Sequence, residues 1–166
     1  MRYRIHAGSL TVRARSRVHD TTTVWSKITG EVVADADTLG TAGATARFVV
    51  DMTVFDAGDF LKNRKLRKDF DLAGHPTASF ELSAVTGVVR GGPTFTARAA
   101  GVLAWRGRKV ELVLDGQGKL DAMGLEASAT FELDIRRLGL QAPRFLMFKV
   151  EDEVTVVVAI RGEVVP

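Results

Sequence analysis

Three histidines, His6, His19 and His75, are the first side chains to weigh for metal or acid–base chemistry. No two of them stand two or four positions apart, the spacing that brings ligands together on one strand or one helix face. The sequence has no cysteine, so disulfides, thiolate metal sites and thiol nucleophiles are excluded. The histidines are expected at turns or on the surface, and no metal or cofactor is predicted.

Ser16, His19 and Asp20 bring the residue types of a catalytic triad into one short stretch. A triad needs a base held against the nucleophile and oriented by a third group. Ser16 and His19 have opposite parity on a predicted strand end, so their side chains are expected to point apart. This arrangement predicts no nucleophile.

The carboxylates give no catalytic signal either. Glu81, Glu111, Glu126, Glu132 and Asp134 all fall on the polar faces of predicted strands, where a solvated charge is the default. The sequence therefore predicts no catalytic residues and a protein that is not an enzyme. An enzyme that shelters a lipid-like substrate is the weakest alternative.

Five basic residues stand within the seven positions 62–68, flanked by the apolar Phe60, Leu61 and Phe70. They are Lys62, Arg64, Lys65, Arg67 and Lys68. Such an amphipathic basic element can bind the surface of an anionic membrane, and the competing interpretation is a solvated helix face. The net charge is only +3 and the charges are interspersed along the chain, so no nucleic acid partner is expected.

The elements that position these residues are predicted by period-two alternation, which separates the two faces of a strand. Leu10, Val12 and Ala14 share one face, and the intervening Thr11 and Arg13 share the other. The same pattern recurs in stretches around residues 46–52, 77–82, 95–105, 110–114 and 125–135. One dry and one wet face per strand indicates an antiparallel sheet. Residues 106–108 and 115–118 are predicted to be turns.

The fold class is predicted to be all-β: an antiparallel, lipocalin-like β-barrel of about eight strands, with a two-sheet sandwich as the alternative. Residues 55–72 break the alternation and predict one short helical segment. The composition, 46% hydrophobic and 26% charged, fits a single domain over residues 1–166. The N-terminus lacks the apolar region of a secretory signal, so a cytoplasmic location is expected.

Several inward positions carry small residues: Ala97, Ala99, Gly101, Ala127 and Ala129. Small residues on an inner face either let opposing side chains interdigitate or leave room for a ligand. The last predicted strand, about residues 149–164, is apolar nearly throughout, so it is expected to be covered on both faces or paired in an interface.

In their order and spacing, the motifs resemble the YceI-like family of polyisoprenoid-binding proteins over nearly the whole chain. The motifs are Ser16-Arg17-Val18-His19, residues 28–32, residues 61–66 leading into residues 74–80, residues 101–107, Leu138-Gly139-Leu140 and Ala142-Pro143-Arg144. Two positions depart from the family pattern. Asn63 stands where similar proteins commonly have aspartate, and the signal peptide usual for exported members is absent.

The resemblance implies an antiparallel barrel around a long apolar cavity that holds an isoprenoid chain. The implied ligand-binding residues are Phe48, Val50, Met52, Phe80, Leu82, Phe95, Leu103, Trp105, Phe131 and Leu133. The leading hypothesis is a non-catalytic binder or carrier of an apolar, isoprenoid-like lipid that enters through the barrel mouth near the helical segment. The second hypothesis is a filled barrel that serves as a structural or interaction module and dimerises through residues 154–160.

Overall fold

The computed structural model describes residues 1–41, 43–142, 144–145 and 148–166. The elements in chain order are β1 (Arg2–Ser16), β2 (Thr21–Trp25), β3 (Ile28–Val33), β4 (Thr45–Asp51), β5 (Phe55–Asp56), α1 (Phe60–Asp69), β6 (Thr77–Gly91), β7 (Thr94–Trp105), β8 (Arg108–Asp121), β9 (Gly124–Asp134), a 3₁₀ turn (Ile135–Leu138), β10 (Arg144–Phe145) and β11 (Phe148–Val165). The all-β class and the helical segment within residues 55–72 are confirmed. Pro143 of the Ala142-Pro143-Arg144 motif lies outside the described residues.

Eight strands in the described part of the chain close into an antiparallel barrel. Their order is β1, β3, β4, β6, β7, β8, β9 and β11, and β11 pairs back onto β1. β2 continues the line of β3 along the same edge of β1, because residues 2–5 pair with β3 and residues 10–14 pair with β2. The barrel, and not the sandwich, is the architecture. Closure pairs both edges of every barrel strand.

The predicted turn at residues 115–118 is wrong. β8 runs straight through it, and Gly116 and Gly118 pair with Ala129 and Ala127 of β9. A Cβ on Gly118 would collide with the backbone oxygen of Glu126, so the strands approach here more closely than a side chain allows. Glycine marks a turn in many sequences, but in this strand it permits close backbone contact.

The actual turn between β8 and β9 is set by Asp121. Its Oδ1 accepts hydrogen bonds from the backbone N–H groups of Met123 at 2.8 Å and Gly124 at 3.2 Å. The predicted turn between β7 and β8 is in place: Arg106 and Gly107 have φ of 58° and 72°. Two residues at positive φ form the two-residue hairpin turn that matches strand twist.

A packed core closes the barrel at the end where α1 lies. Leu66 of α1 and the following Phe70 and Leu72 are buried in one cluster with Trp25 and Trp105. The indole of Trp25 donates to the backbone oxygen of Met52 at 3.1 Å, and that of Trp105 donates to the backbone oxygen of His75 at 2.9 Å. Each indole ring is thus buried while its only polar group, the N–H, makes a hydrogen bond.

A smaller cluster packs the opposite end, around Tyr3, Ile5, Leu120 and Leu125. The hydroxyl of Tyr3 donates to the backbone oxygen of Asp121 at 3.0 Å. The connection between β3 and β4 contributes Leu39 to this cluster. Both ends of the barrel therefore carry packed apolar side chains.

The apolar run of residues 154–160 is explained by the barrel itself. Val154 and Val156 are buried inside it, whereas Val157 faces outward and is 39% exposed. β11 pairs with β1 along one edge and with β9 along the other. Since both edges are occupied, a second copy cannot add to this strand by edge pairing.

Candidate functional site: an apolar cavity inside the barrel

An apolar cavity of about 250 Å³ lies inside the barrel. Its lining takes residues from both packed clusters, including Leu112 from the α1 end and Leu120 from the opposite end. Ser79, Gln117 and Ser128 also border it, but alternation places their side chains on the outer face. Among the described residues, no Asp, Glu, Lys, Arg or His borders the cavity.

Both bulky and small residues line the cavity. The rings of Phe48 and Phe80 stack on neighbouring strands β4 and β6, with centroids 6.4 Å apart and planes 16° apart. Strands β7, β8 and β9 contribute large residues such as Phe95 and Phe131, and between them a set of small ones: Ala97, Ala99, Gly116, Ala127 and Ala129. Small side chains at these positions leave space inside the barrel.

The ten implied ligand-binding residues fall into two groups. Seven line the cavity: Phe48, Val50, Phe80, Leu82, Phe95, Leu103 and Phe131. The other three, Met52, Trp105 and Leu133, are buried in the core at the α1 end and do not border the cavity. Alternation correctly placed these three inside the barrel, but α1 and its flanking residues fill that end. Contact of the seven with a ligand stays a prediction.

The boundary between core and cavity is visible along single strands. Leu103 on β7 is half-buried, and the next inward residue, Trp105, is buried. On β9, Phe131 is likewise half-buried and the next inward residue, Leu133, is buried. Inward residues at the cavity keep accessible surface because no side chain packs over them. The barrel is therefore filled at one end and hollow in its middle.

The expected entry beside the helical segment is not where the cavity lies. No residue of α1 borders the cavity, whereas Leu39 and Ala44 of the β3–β4 connection do. Sequence reasoning missed these two because a connection carries no periodicity. It also left out Leu114 and Ile160, which alternation on β8 and β11 could have supplied.

Ser16 and His75, which the sequence offered as possible catalytic or metal-binding groups, make structural contacts. The Ser16 hydroxyl donates to the backbone oxygen of His19 and accepts from the backbone N–H of His19 at 3.1 Å. His75 contributes its backbone oxygen to Trp105, and its Nε2 lies 3.9 Å from Oδ2 of Asp71. Across the described ranges, no group of three His, Asp or Glu side chains could hold a metal ion.

The surface of α1 carries exposed apolar side chains beside cations. Phe60 and Leu61, in its first turn, are 74% and 73% exposed. Arg64 and Lys68 follow Phe60 at four-residue steps and lie on the same helix face. Two of the other cations have local partners, Lys65 with Asp69 at 2.8 Å and Arg67 over the ring of Phe55 at 5.3 Å. No helix in the described residues is long and apolar enough to cross a membrane.

Asn63 connects α1 to Ala57, the residue that follows β5. Its side-chain oxygen accepts a hydrogen bond from the backbone N–H of Ala57 at 2.5 Å. Asp59 caps the helix by accepting from the backbone N–H of Lys62 at 2.8 Å. An amide oxygen therefore serves as the acceptor that fixes the start of α1.

Comparison with known proteins gives one family and a consistent fold. A family model described as the YceI-like domain matches residues 3–161. BcnA of Burkholderia cenocepacia has a TM-score of 0.76 at 18% identity, covering 93% of this chain and 95% of that chain. A polyisoprenoid binding domain from Saccharophagus degradans, implicated in plant cell wall breakdown, has a TM-score of 0.76 at 16% identity over 98% of both chains.

The YceI protein of Campylobacter jejuni has a TM-score of 0.68 at 10% identity, covering 87% of this chain and 85% of that chain. No curated protein matches the sequence. At identities this low, the structural likeness speaks for the fold.

Proposed function

Because the chain belongs to the YceI-like family, as its motifs predicted, we propose that it binds an apolar, isoprenoid-like lipid inside the barrel without reacting with it. The observation that carries the proposal is the cavity of about 250 Å³ whose described lining holds no ionisable side chain. Such a site can bind a ligand by fitting its shape and excluding water. It offers no acid, base or nucleophile to a bound molecule.

The binding free energy would come from burial of apolar surface. Each square ångström removed from water contributes roughly 25 cal/mol. Half-buried Phe80, Phe95 and Phe131 would lose their remaining accessible surface to the ligand. A neutral hydrocarbon chain therefore needs no polar partner in order to bind.

A matched pair of variants on β9 tests the proposal. Ala129 lines the cavity, and the adjacent Thr130 is exposed on the outer face. Ala129→Phe fills the cavity and is expected to lower the affinity for farnesol by roughly tenfold or more. Thr130→Phe adds the same ring outside and is expected to bind like the wild type. Native mass spectrometry counts the bound ligand, and melting temperatures show that both variants fold.

Two results would contradict the proposal. One is a purified wild type that yields no stoichiometric lipid on solvent extraction and takes up no added prenyl compound. The other is unchanged affinity in Ala129→Phe. The fluorescence of Trp105 would report poorly on ligand binding, because this residue lies in the core at the α1 end and does not border the cavity.

The structural module without ligand remains the alternative, and its dimer stays a prediction. With both edges of β11 paired, a dimer through this strand would rest on outward side chains such as Val157. Sedimentation velocity at several concentrations decides the oligomeric state. The cytoplasmic location also stays a prediction.

A second candidate function is attachment to an anionic membrane surface through α1. Exposed Phe60 and Leu61 can insert between lipid headgroups, while Arg64 and Lys68 on the adjoining surface attract acidic lipids. Each cation near such a surface contributes on the order of 1 kcal/mol. A basic helix that only faces solvent would not need two exposed apolar side chains in its first turn.

Vesicle sedimentation tests the attachment. Wild type is expected to pellet with vesicles rich in phosphatidylglycerol at low salt and to stay in solution with phosphatidylcholine. The double variant Phe60→Ser/Leu61→Ser should lose pelleting. Met123→Ser, which removes a side chain 88% exposed in the β8–β9 turn, is the control and should pellet like the wild type. Equal pelleting of all three proteins would contradict attachment through α1.

A further inference from the structure

We propose that the apolar ligand enters the cavity sideways, through a gap in the barrel wall between β8 and β9, and not through either end of the barrel. The inference rests on the proposed function, because it concerns the same cavity. It adds the route by which a hydrocarbon chain passes from the surface into a site that is packed at both ends.

Each barrel strand has a partner on both sides, but the ladder that joins β8 to β9 covers only part of their length. Its last pair on the side of α1 is Asp115 with Thr130. The same register would place residues 111–114 of β8 opposite residues 131–134 of β9, and no pairing joins these two described ranges. Both ranges stay paired on their other edges, with β7 and β11 respectively. We call the unpaired stretch the β8–β9 gap.

The backbone groups along the gap are not tied up in a ladder. The N–H group of Leu120 donates to the backbone oxygen of Pro93 at 2.9 Å, on the β7 side, so the even-numbered residues of β8 direct their backbone groups towards β7. Glu111 and Val113 direct theirs towards β9, where the ladder has ended. The guanidinium of Arg137 lies here and donates from Nη2 to the backbone oxygen of Glu111 at 3.5 Å. A ligand that passes between the strands at this place breaks no ladder hydrogen bond.

The gap leads from an apolar rim to the cavity. Leu114 and Phe131, which the register would place opposite each other, both line the cavity and are half-buried. On the outer face at the same level, the side chain of Val113 is 65% exposed. The carboxylate of Glu132 is held on the β11 side, where it accepts a hydrogen bond from the hydroxyl of Thr155 at 2.9 Å. An arriving hydrocarbon therefore meets apolar side chains both outside and inside the wall.

Entry through a barrel end would be more costly. At the α1 end, a ligand would have to displace Trp25 and Trp105, whose indole N–H groups are hydrogen-bonded to backbone oxygens. At the opposite end it would have to displace Tyr3 and Leu120, which are also buried. Either route gives up packed apolar contacts that the β8–β9 gap leaves intact.

The ladder between β4 and β6 also stops early, but that place is covered. Its last pair is Arg47 with Glu81, and β6 continues to residue 91. The β3–β4 connection is bound there by Arg90, which donates to the backbone oxygen of Ala36 and whose Nη1 lies 3.3 Å from Oδ1 of Asp37. The outer rim of the β8–β9 gap is instead exposed at Val113. The gap is therefore the more accessible of these two breaks in the wall.

Engineered disulfides test the route, because the sequence has no cysteine of its own. Val113→Cys/Glu132→Cys joins β8 to β9 across the gap. Val113→Cys/Ala100→Cys is the matched control, since it joins the same position to β7 at residues that the ladder already pairs. Each protein is loaded with farnesol and chased with deuterated farnesol, and native mass spectrometry follows the exchange with time.

We expect oxidation of the gap pair to slow the exchange by roughly tenfold or more relative to the same protein reduced. The control pair should exchange at the same rate in both states. The affinity for farnesol should stay within about threefold, because closing the gap slows entry and release alike. Should the gap pair not form a disulfide, the bifunctional thiol reagent bis(maleimido)ethane spans a wider separation and takes its place.

The outcomes separate the inference from the proposed function. Equal exchange rates in the linked and reduced gap pair overturn the inference and leave the proposed function standing. An equal slowing in the control pair also overturns the inference alone, because a general loss of flexibility would then account for the effect. Absence of farnesol binding by the wild type overturns the proposed function, and the inference with it.

Discussion

Gly101 determines how closely the ring of Phe80 can lie on β7. A Cβ at position 101 would collide with Cζ of Phe80 and stand 2.5 Å from the backbone oxygen of Glu81. Gly101→Ala must therefore push the ring towards the cavity or strain the strand pair. We expect a loss of about 1 to 3 kcal/mol in the free energy of unfolding, measured in urea.

Gly91→Ala is the control for this prediction. The atom nearest to the added methyl group, Oγ1 of Thr94, would be 3.5 Å away, which is ordinary contact. This change should leave stability within about 0.5 kcal/mol of the wild type. Equal stability of the two variants would show that the ring of Phe80 does not depend on the missing Cβ.

Among the elements, α1 is held in place by a few identifiable bonds. Asn63→Ala removes the acceptor of the Ala57 N–H group and should lower the free energy of unfolding by about 1 kcal/mol. Asn63→Asp keeps an acceptor and should retain most of the stability. Arg64→Ala, on the exposed neighbouring position, controls for helix propensity and should cost little. The prediction fails if the alanine and aspartate variants at position 63 unfold at the same urea concentration.

The strands were predictable from the sequence where one local rule decides their structure. Alternation gave the inward faces of β4, β6, β7 and β9, and therefore the seven residues that line the cavity. It could not exclude Met52, Trp105 or Leu133, because their surroundings depend on where α1 docks. It also could not show that Gly116 is a strand residue, since composition does not distinguish a turn from a close strand contact.

For the whole molecule, the two proposed activities belong to different regions of the barrel. The α1 surface with Phe60 and Leu61 covers the filled end, and no residue of α1 borders the cavity. Leu39 and Ala44 border it from the β3–β4 connection, at the opposite end. A protein attached to a membrane through α1 would therefore hold the β3–β4 connection, which borders the cavity, away from that membrane. Loss of vesicle binding should leave ligand affinity unchanged.

The fold and the cavity should respond differently to pH. Hydrogen bonds from Thr53 lower the pKa of Asp51, the Met123 N–H lowers the pKa of Asp121, and Arg136 lowers the pKa of Asp134. A carboxyl whose pKa is lower in the folded state stabilises the fold above its unfolded pKa of about 3.9, and this stabilisation is lost as the pH falls through the folded pKa. The melting temperature of the free protein should therefore drop below about pH 4.

Ligand binding has no such dependence, because the described lining contains no group that titrates. The rise in melting temperature caused by a fixed excess of farnesol should be the same from about pH 5 to pH 9. Differential scanning fluorimetry with and without the ligand measures both quantities in one experiment. A step in the ligand-induced rise near pH 6.5, where histidine titrates, would show that the bound molecule is coupled to an ionisable group and that the site is not the dry cavity described above.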